Sequence, residues 1–148
     1  MKAALSIALA LLLAGCSEVV APGWDLRVET SQAVYVLPGG PAESYVTVQF
    51  TVRNAGARMA VLPHCGESVD PRLQRREAGA WVDVPTLVCL PGGPQASPVL
   101  PPGRTASGLT VVGEPGEYRL LIPVAENVDA TYTSYAVSPS FIARSVQN

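Results

Sequence analysis

The residues that could do metal or redox chemistry are few, and three of them fall in one short stretch. Met59, His64 and Cys65 lie within seven positions, and soft ligands of these types suit copper. Neighbouring residues of a strand point to opposite faces, however, so His64 and Cys65 would diverge if a strand reached them. The chain has one histidine and two methionines. We therefore expect no metal site, and we expect His64 to be a solvent-facing loop residue.

Catalytic patterns are equally scarce. The sequence contains no G-x-S-x-G elbow, H-E-x-x-H motif, phosphate-binding loop or C-x-x-C pair, and one histidine can serve at most one triad. Asp83, Glu114 and Glu117 could pair across strands as an acid/base dyad, although acids on the surface of a β-domain are more often solvated. The sequence predicts a protein with no enzymatic activity and no cofactor.

The first residues have the pattern of an exported chain. Lys2 supplies one positive charge, and only Ser6 interrupts the apolar run at residues 3–13. As a helix this run would measure about 17 Å, too short for a hydrocarbon core about 30 Å thick. A charged start, a short apolar run and small residues before a cleavage site are typical of a secretory signal peptide. We expect residues 1–15 to be removed.

The four residues Leu13-Ala14-Gly15-Cys16 resemble the lipobox of bacterial lipoproteins. The resemblance implies cleavage before Cys16, a thioether-linked diacylglyceryl group on its sulfur, and often acylation of the new amine by a fatty acid such as palmitate. Two or more acyl chains anchor a protein stably where one is marginal. The alternative is an ordinary signal peptide with a coincidental cysteine.

On the lipoprotein interpretation, the protein is attached to a membrane of the bacterial cell envelope. The anchor would hold it on the outer side of the inner membrane or on the outer membrane. Residues 16–23 would form a lipidated tether, and residues 24–148 would form one domain.

Cys65 and Cys89 are the remaining cysteines. Export would place them in an oxidising compartment, where two thiols of one small domain usually pair. On the chain-entropy model, closing a loop of about 25 residues removes ~3.5 kcal/mol of unfolded-state entropy. We expect a Cys65–Cys89 disulfide, which would also constrain the Pro/Gly-rich stretch at residues 90–103.

Charge excludes one class of partner. Without residues 1–15 the chain has nine arginines, no lysine and twelve acidic residues, so its net charge is −3. The arginines are scattered along the sequence and form no basic run, so the electrostatic footprint of nucleic-acid binding is missing. The remaining length, about 130 residues, is enough for one domain that buries its own core.

From Trp24 onward the dominant hydrophobic period is two. Val46, Val48, Phe50 and Val52 alternate with polar or half-polar residues, which predicts a strand with one buried face. Gly79 lies where a hairpin turn would need a positive φ. Other strands are predicted at residues 26–30, 33–37, 58–62, 73–76, 81–84, 105–112, 118–123 and within 131–143.

Prolines and glycines fall mainly between these runs, and no segment after the signal peptide has helical periodicity. Seven to nine short strands separated by regular turn signals predict an all-β fold, in which a sandwich is favoured over a closed barrel.

Tyr118 follows a Pro-Gly turn in the sequence EPGEYRL. This arrangement resembles the tyrosine corner of Greek-key sandwiches, in which the phenol hydrogen-bonds the backbone of the preceding connection. The alternative is a simple cross-strand aromatic residue.

Four motifs follow in order: FTVRNAG, LQRREAGAWVDV, LPPGRTASGLTV and PGEYRLLIPV. Together they resemble the immunoglobulin-like domains of bacterial envelope proteins, including the family named for the Bacillus intracellular proteinase inhibitor. The resemblance spans residues 45–124 and implies an immunoglobulin-like β-sandwich. The chain departs from that family in its cysteine pair, its proline-rich insertion and its lipid anchor.

Arg72, Arg75, Arg76 and Trp81 fall within the loop that the predicted disulfide would close. Arginine and tryptophan are over-represented at interface hot spots, and binding residues concentrate on loops held by a rigid scaffold. We expect these four residues and the Pro/Gly-rich stretch to form the interface. The alternative is that Trp81 fills the core and the arginines are merely solvated.

These observations predict a membrane-anchored envelope lipoprotein with one immunoglobulin-like Greek-key β-sandwich. We expect it to act as a non-catalytic protein-binding or structural module for another envelope protein. The alternatives are a binding module for a small ligand, a glycan or a metal, and a proteinase-inhibitor-like domain.

Overall fold

The computed structural model describes residues 24–39, 45–86 and 99–146, and within these ranges the chain forms thirteen strands and no helix. The strands are β1 (Leu26–Thr30), β2 (Val34–Leu37), β3 (Val46–Asn54), β4 (Ala60–Val61), β5 (His64–Cys65), β6 (Ser68–Val69), β7 (Arg72–Glu77), β8 (Ala80–Val84), β9 (Val99–Leu100), β10 (Thr105–Val112), β11 (Gly116–Val124), β12 (Ser134–Val137) and β13 (Phe141–Ser145).

The strands form two main sheets. The five-stranded sheet has the order β1-β3-β10-β6-β5, and the six-stranded sheet has the order β2-β13-β11-β7-β8 with β12 also paired to β11. Strands β4 and β9 form a separate two-stranded ladder. The chain changes sheet between β1 and β2 and again between β10 and β11, as in immunoglobulin-like Greek-key sandwiches. The predicted fold class is confirmed.

The inner faces of the two sheets make the core. Val48, Phe50, Leu120 and Ile122 are at most 2% exposed, and Val46 is partly buried against them. Val48 and Phe50 are among the residues that the period-two pattern assigned to the buried face, and that assignment is confirmed. Their burial provides the main driving force for folding, at about 25 cal/mol for each Å² of apolar surface removed from water.

Gly108 in β10 is required by close packing between strands. A Cβ atom built there would lie 2.7 Å from the carbonyl oxygen of Val69 in β6 and would overlap the Phe50 ring. A side chain at this position would therefore push β6 away from β10.

Three predicted strands differ in detail from the structure. The segment after β1 restarts as β2 in the other sheet, where it pairs in parallel with β13. The strand expected at residues 58–62 is only the two-residue β4. The last predicted strand is divided into β12 and β13, which both pair with β11.

The division between β12 and β13 has a local cause at Ser138 and Pro139. The Ser138 hydroxyl accepts a hydrogen bond from the Leu120 amide at 2.9 Å and donates one to the Pro139 carbonyl at 2.8 Å. A side chain thus replaces a ladder hydrogen bond where proline, which has no N–H, interrupts the pairing.

The turn between β7 and β8 consists of Ala78 (φ 48°) and Gly79 (φ 86°). Two positive φ values are the mark of a type I′ hairpin turn, whose twist matches that of the flanking strands. The positive φ predicted for Gly79 is confirmed, and Ala78 adopts a left-handed conformation that costs an L-residue roughly 1 kcal/mol.

A buried amide organises the end of the sandwich where the described chain begins, which we name the Trp24 end. The Asn54 side chain donates to the carbonyls of Arg58 at 2.7 Å and Leu100 at 2.9 Å, and its Oδ1 accepts from the Gly56 amide at 3.1 Å. Asn54 is fully buried, and its bond to Leu100 is buried while the other two are partly buried. They hold three connections in one arrangement.

A buried phenol organises the opposite end, which we name the Tyr118 end. The Tyr118 hydroxyl donates to the Glu114 carbonyl at 2.8 Å, and its ring stacks on Phe141 with centroids 5.8 Å apart. Tyr118 is 1% exposed. This is the geometry of a tyrosine corner, and it fastens the connection between β10 and β11 to the core.

Candidate protein interface

The outer face of the six-stranded sheet carries most of the sequence-predicted interface. Because Leu73 points into the core, its strand neighbours Arg72 and Gln74 point outward. The register of the β7–β8 hairpin places Trp81 opposite Arg76 and Asp83 opposite Gln74 on the same outer face.

Trp81 lies between two arginine side chains. The Arg119 guanidinium is 4.4 Å from the centroid of the indole and that of Arg76 is 5.9 Å from it. Both distances are within the range of cation–π attraction. The indole is half-buried and does not belong to the core cluster, so the alternative that Trp81 fills the core is wrong.

A hydrogen-bonded chain continues from Arg119 across the sheet. Arg119 donates twice to the Gln74 Oε1 atom, at 2.7 and 2.9 Å, and Gln74 donates to Asp83 at 2.9 Å. Arg72 pairs with Asp83, donates to the Tyr135 hydroxyl at 2.8 Å and lies 5.5 Å from the centroid of the Tyr135 ring. The network therefore spans β8, β7, β11 and β12, and each member limits the rotamers of the next.

The acids around this face contact arginines. The hydrogen bond from Gln74, followed by the interaction with Arg72, lowers the pKa of Asp83 below its usual range. Each candidate acid of the hypothetical dyad contacts an arginine, which is the arrangement of surface ion pairs. The pairs are Asp83–Arg72, Glu114–Arg75 and Glu117–Arg76.

The same face is apolar toward its β2 edge. Val34, Val36 and Ile142 point outward from β2 and β13 and are 40–47% exposed. Beside this apolar strip, four outward arginines outnumber two outward acids, which gives the face a local positive charge on a chain whose overall charge is −2. These residues are Arg72, Arg76, Arg119, Arg144, Asp83 and Glu117.

The structure brings together three of the four predicted interface residues. Arg72, Arg76 and Trp81 share the outer face, whereas Arg75 points the other way and contacts Glu77 and Glu114 at the Tyr118 end. All four lie on strands β7 and β8, so the surface they form is a sheet face and not a loop.

Sequence reasoning missed Arg119 and Tyr135, which complete this surface from β11 and β12. A signal for Arg119 was present, because it lies between the inward-pointing Tyr118 and Leu120 in an alternating strand. Nothing local, however, indicates that its strand neighbours the β7–β8 hairpin.

Of the three cysteines, only Cys65 lies in the described residues. Cys65 is disulfide-bonded, and its predicted partner Cys89 lies outside the described residues, as do Cys16 and most of the Pro/Gly-rich stretch. Their pairing and lipidation stay predictions.

His64 differs from its expected position on a solvent-facing loop. It lies in β5, is half-buried, and has its Nδ1 atom 3.2 Å from the Leu62 carbonyl. Burial lowers its pKa. In the ranges that the structure describes, no cluster of three histidine, cysteine or acidic side chains could hold a metal. Those ranges also contain no helix with the length and hydropathy of a membrane span.

A concave feature lies on the five-stranded sheet. It is an open depression of about 520 Å³ whose outward side chains are mostly hydroxyl, amide or carboxylate groups. Its polar lining comes chiefly from Glu29, Ser31, Gln49, Thr51, Glu67 and Ser107.

No protein-family model and no curated protein sequence matches the chain. Among solved structures, it is similar to the CARDB domain of a Pyrococcus furiosus protein in solution, with 15% identity, a TM-score of 0.38, and coverage of 83% of this chain and 95% of that domain. The crystal structure of that domain in complex with di-metal ions gives 15% identity, a TM-score of 0.39 and coverages of 82% and 93%.

A third similar structure is AvmM, described as catalysing macrocyclization in alchivemycin A biosynthesis. It has 12% identity, a TM-score of 0.37, and coverage of 84% of this chain and 90% of that one. The fold of the present chain is defined by its own strand order.

Proposed function

We propose that this protein is a lipid-anchored, non-catalytic module of the bacterial envelope that binds another envelope protein. The proposed binding surface is the outer face of the six-stranded sheet around Trp81. One observation carries the proposal: the half-exposed Trp81 is held between Arg76 and Arg119, and tryptophan and arginine are the residue types that dominate binding energy at interfaces.

The rigidity of this surface supports the proposal. Gln74 accepts hydrogen bonds from Arg119, and Asp83 and Tyr135 contact Arg72, so these arginine side chains have less entropy to lose on binding. The excess of arginine favours a partner with an acidic surface, since complementary charge speeds association and selects the partner.

The test is photo-crosslinking in native envelopes from a photoreactive residue at position 81, compared with the same residue at position 109. Leu109 is a matched control because it is 55% exposed on the outer face of the other sheet. We expect a defined crosslinked protein from position 81 only, and we expect high salt to weaken the crosslink.

A double substitution refines the test. For this comparison the photoreactive residue is placed at an exposed position other than the substituted ones. Arg76→Ser with Trp81→Ser should then abolish the crosslinked complex, whereas Arg75→Ser should preserve it because Arg75 faces away. Survival of the complex in the double variant, with stability unchanged, would exclude this face as the interface.

Membrane attachment is tested separately. Cys16→Ser should abolish labelling by an acyl-chain probe and leave either soluble protein or uncleaved precursor. Undiminished labelling would contradict the lipoprotein assignment, and free thiols at Cys65 and Cys89 in exported protein would contradict their predicted pairing.

A second candidate function is the binding of a small polar ligand such as a sugar in the depression on the five-stranded sheet. The hydroxyl and amide groups of Ser31, Gln49 and Ser107 favour it. Titration with monosaccharides, followed by amide chemical shifts, should perturb β1, β3 and β10 if this site is used. Shifts confined to other strands would exclude it.

A further inference from the structure

Two arginines oppose each other directly at the Trp24 end of the five-stranded sheet. Arg27 in β1 is the register partner of Arg53 in β3, and both point outward because Val28 and Val52 are buried. Side chains opposite each other in an antiparallel pair lie about 5 Å apart at Cβ, and like charges there are destabilising. Such a pair is accommodated when an anion lies over it.

A third arginine, Arg104, lies beside the end of β3. It precedes β10, and its backbone carbonyl accepts a hydrogen bond from the backbone N–H of Asn54 at 2.9 Å. Among the described residues, the only carboxylate paired with these three arginines is Asp25, which is 3.4 Å from Arg27 with both side chains more than half exposed. An exposed pair at that distance compensates little charge. The end therefore carries three arginines, Arg27, Arg53 and Arg104, with little compensating negative charge among the described residues.

An amphipathic aromatic residue lies at the same end. The Trp24 indole N–H donates to the Met59 carbonyl at 2.9 Å, and the Arg58 guanidinium lies 5.0 Å from the ring centroid. The Trp24 ring is partly exposed, and the Met59 side chain is 60% exposed. Tryptophan is enriched at the level of lipid headgroups, where an apolar ring meets a wet boundary.

These groups are held in one rigid arrangement by the backbone around Asn54. The Ala55 amide donates to the Asp25 carbonyl at 2.7 Å, and the Gly103 amide donates to the Asn54 carbonyl at 2.7 Å. The segments that carry Trp24, Met59 and Arg104 therefore move as a unit with β3. A rigid, cationic and partly apolar end is suited to lie on a flat anionic surface.

The length of the preceding chain identifies that surface. Only the seven residues 17–23 separate the proposed lipidated cysteine from Trp24, and the eight Cα-to-Cα steps from Cys16 to Trp24 span at most roughly 27 Å. We propose that the Trp24 end docks on the anionic headgroups of the bilayer that holds the acyl chains of Cys16. This inference rests on the proposed lipidation, and it leaves the face around Trp81 free to bind a protein partner.

The two tryptophans of the chain allow a direct test. The lipidated protein is inserted into preformed phosphatidylglycerol vesicles that contain brominated lipid, which quenches nearby indoles. In the Trp81→Phe variant the remaining Trp24 should be strongly quenched. In the matched Trp24→Phe variant the remaining Trp81 should keep its fluorescence. Unquenched Trp24, or equal quenching of both indoles, would overturn the proposal.

Charge variants test the role of the arginines. The double substitution of Arg27→Gln and Arg53→Gln should reduce the docked population by about fivefold or more for each charge removed, since each basic residue near an anionic surface adds roughly 1 kcal/mol. Arg75→Gln, at the Tyr118 end, is the matched control and should leave Trp24 quenching unchanged. Headgroup recognition would be contradicted if Trp24 were quenched equally in phosphatidylglycerol and in neutral phosphatidylcholine vesicles. It would also be contradicted if the double variant were quenched as strongly as the protein with both arginines.

The mass of the purified protein separates this inference from the proposed function. A mass without acyl chains on Cys16 would refute lipidation itself. An acylated protein whose Trp24 escapes quenching would refute docking alone. Inorganic phosphate at high concentration should release the Trp24 end of the acylated protein from the vesicle surface no more than sodium chloride of equal ionic strength does. Greater release by phosphate would identify free phosphate as the ligand instead.

Discussion

The two ends of the sandwich solve the same problem, the fastening of connections to a core, with different chemistry. At the Trp24 end the Asn54 amide makes three hydrogen bonds to backbone groups, and the arginines nearby are only weakly compensated. At the Tyr118 end one phenol makes one backbone hydrogen bond, and Arg75 is paired with both Glu77 and Glu114. Arg58 at the Trp24 end is also paired, with Glu126, so the difference lies in Arg27, Arg53 and Arg104, which have little compensating negative charge among the described residues.

That contrast assigns different consequences to substitutions at the two ends. The Trp24 end should lose more stability when the hydrogen-bonding group of Asn54 is removed, because more backbone groups lose their partners. The Tyr118 end should respond less to loss of the Tyr118 hydroxyl but should be sensitive to alkaline pH, because that hydroxyl titrates.

The largest effect is expected for Asn54→Ala. Removing three hydrogen bonds of the buried Asn54 side chain, at about 1 kcal/mol each, should lower the free energy of unfolding by roughly 3 kcal/mol. Urea denaturation measures the change. The matched control is Asn127→Ala, since the exposed Asn127 side chain makes one local bond to the Asp129 amide at 3.0 Å. A loss below about 1 kcal/mol in Asn54→Ala would show that water replaces these bonds.

A smaller effect is expected at the other end for Tyr118→Phe. The ring and its stacking on Phe141 are kept, so the loss should be about 1 kcal/mol, the value of one hydrogen bond. Tyr132→Phe is the control, because Tyr132 is only half-buried and its hydroxyl has no hydrogen-bond partner among the described residues. A loss at Tyr118 as large as that of Asn54→Ala would remove the contrast between the ends.

A modest gain is expected at the Tyr118 end for Ala78→Asn. Asparagine tolerates the left-handed conformation that Ala78 adopts, and Asn-Gly is the preferred type I′ turn. The free energy of unfolding should rise by about 0.5–1 kcal/mol, measured as a higher urea midpoint with an unchanged slope. A lower midpoint in this variant would show that the turn is of another type.

The smallest effect is a pH dependence confined to the Tyr118 end. Burial raises the pKa of the Tyr118 phenol in the folded state. Its stabilising contribution is therefore complete below the unfolded pKa near 10 and is lost as the pH rises through the higher folded value. Between pH 9 and pH 11 the free energy of unfolding should fall further in wild type than in Tyr118→Phe, and the difference should be below about 1 kcal/mol. The loss in Asn54→Ala should match wild type, because an amide does not titrate, and equal losses in wild type and Tyr118→Phe would contradict the assignment.

Much of the fold follows from local sequence. The alternation around Phe50 fixes which side chains of β3 are buried, and the Ala78-Gly79 pair fixes a hairpin. Both signals depend only on neighbours along the chain, and both are present in the structure. The predicted strand boundaries that differ from the structure are those of β4 and of the segment divided into β12 and β13. They depend on which backbone groups remain free to pair after the sheets are assembled.

The sequence by itself determined the strand periodicity, the turn chemistry and the type of each candidate interface residue, and it is the sole basis for the prediction of export and lipid anchoring. Only the tertiary structure decided which of those residues meet. Arg119 reaches Trp81, Arg72 reaches Tyr135, and Arg27 opposes Arg53 because of strand order and register. The physical reason is that a side chain's direction is set by its own backbone, whereas its neighbours come from strands distant in sequence. A pattern of period two carries no information about which strand lies beside it.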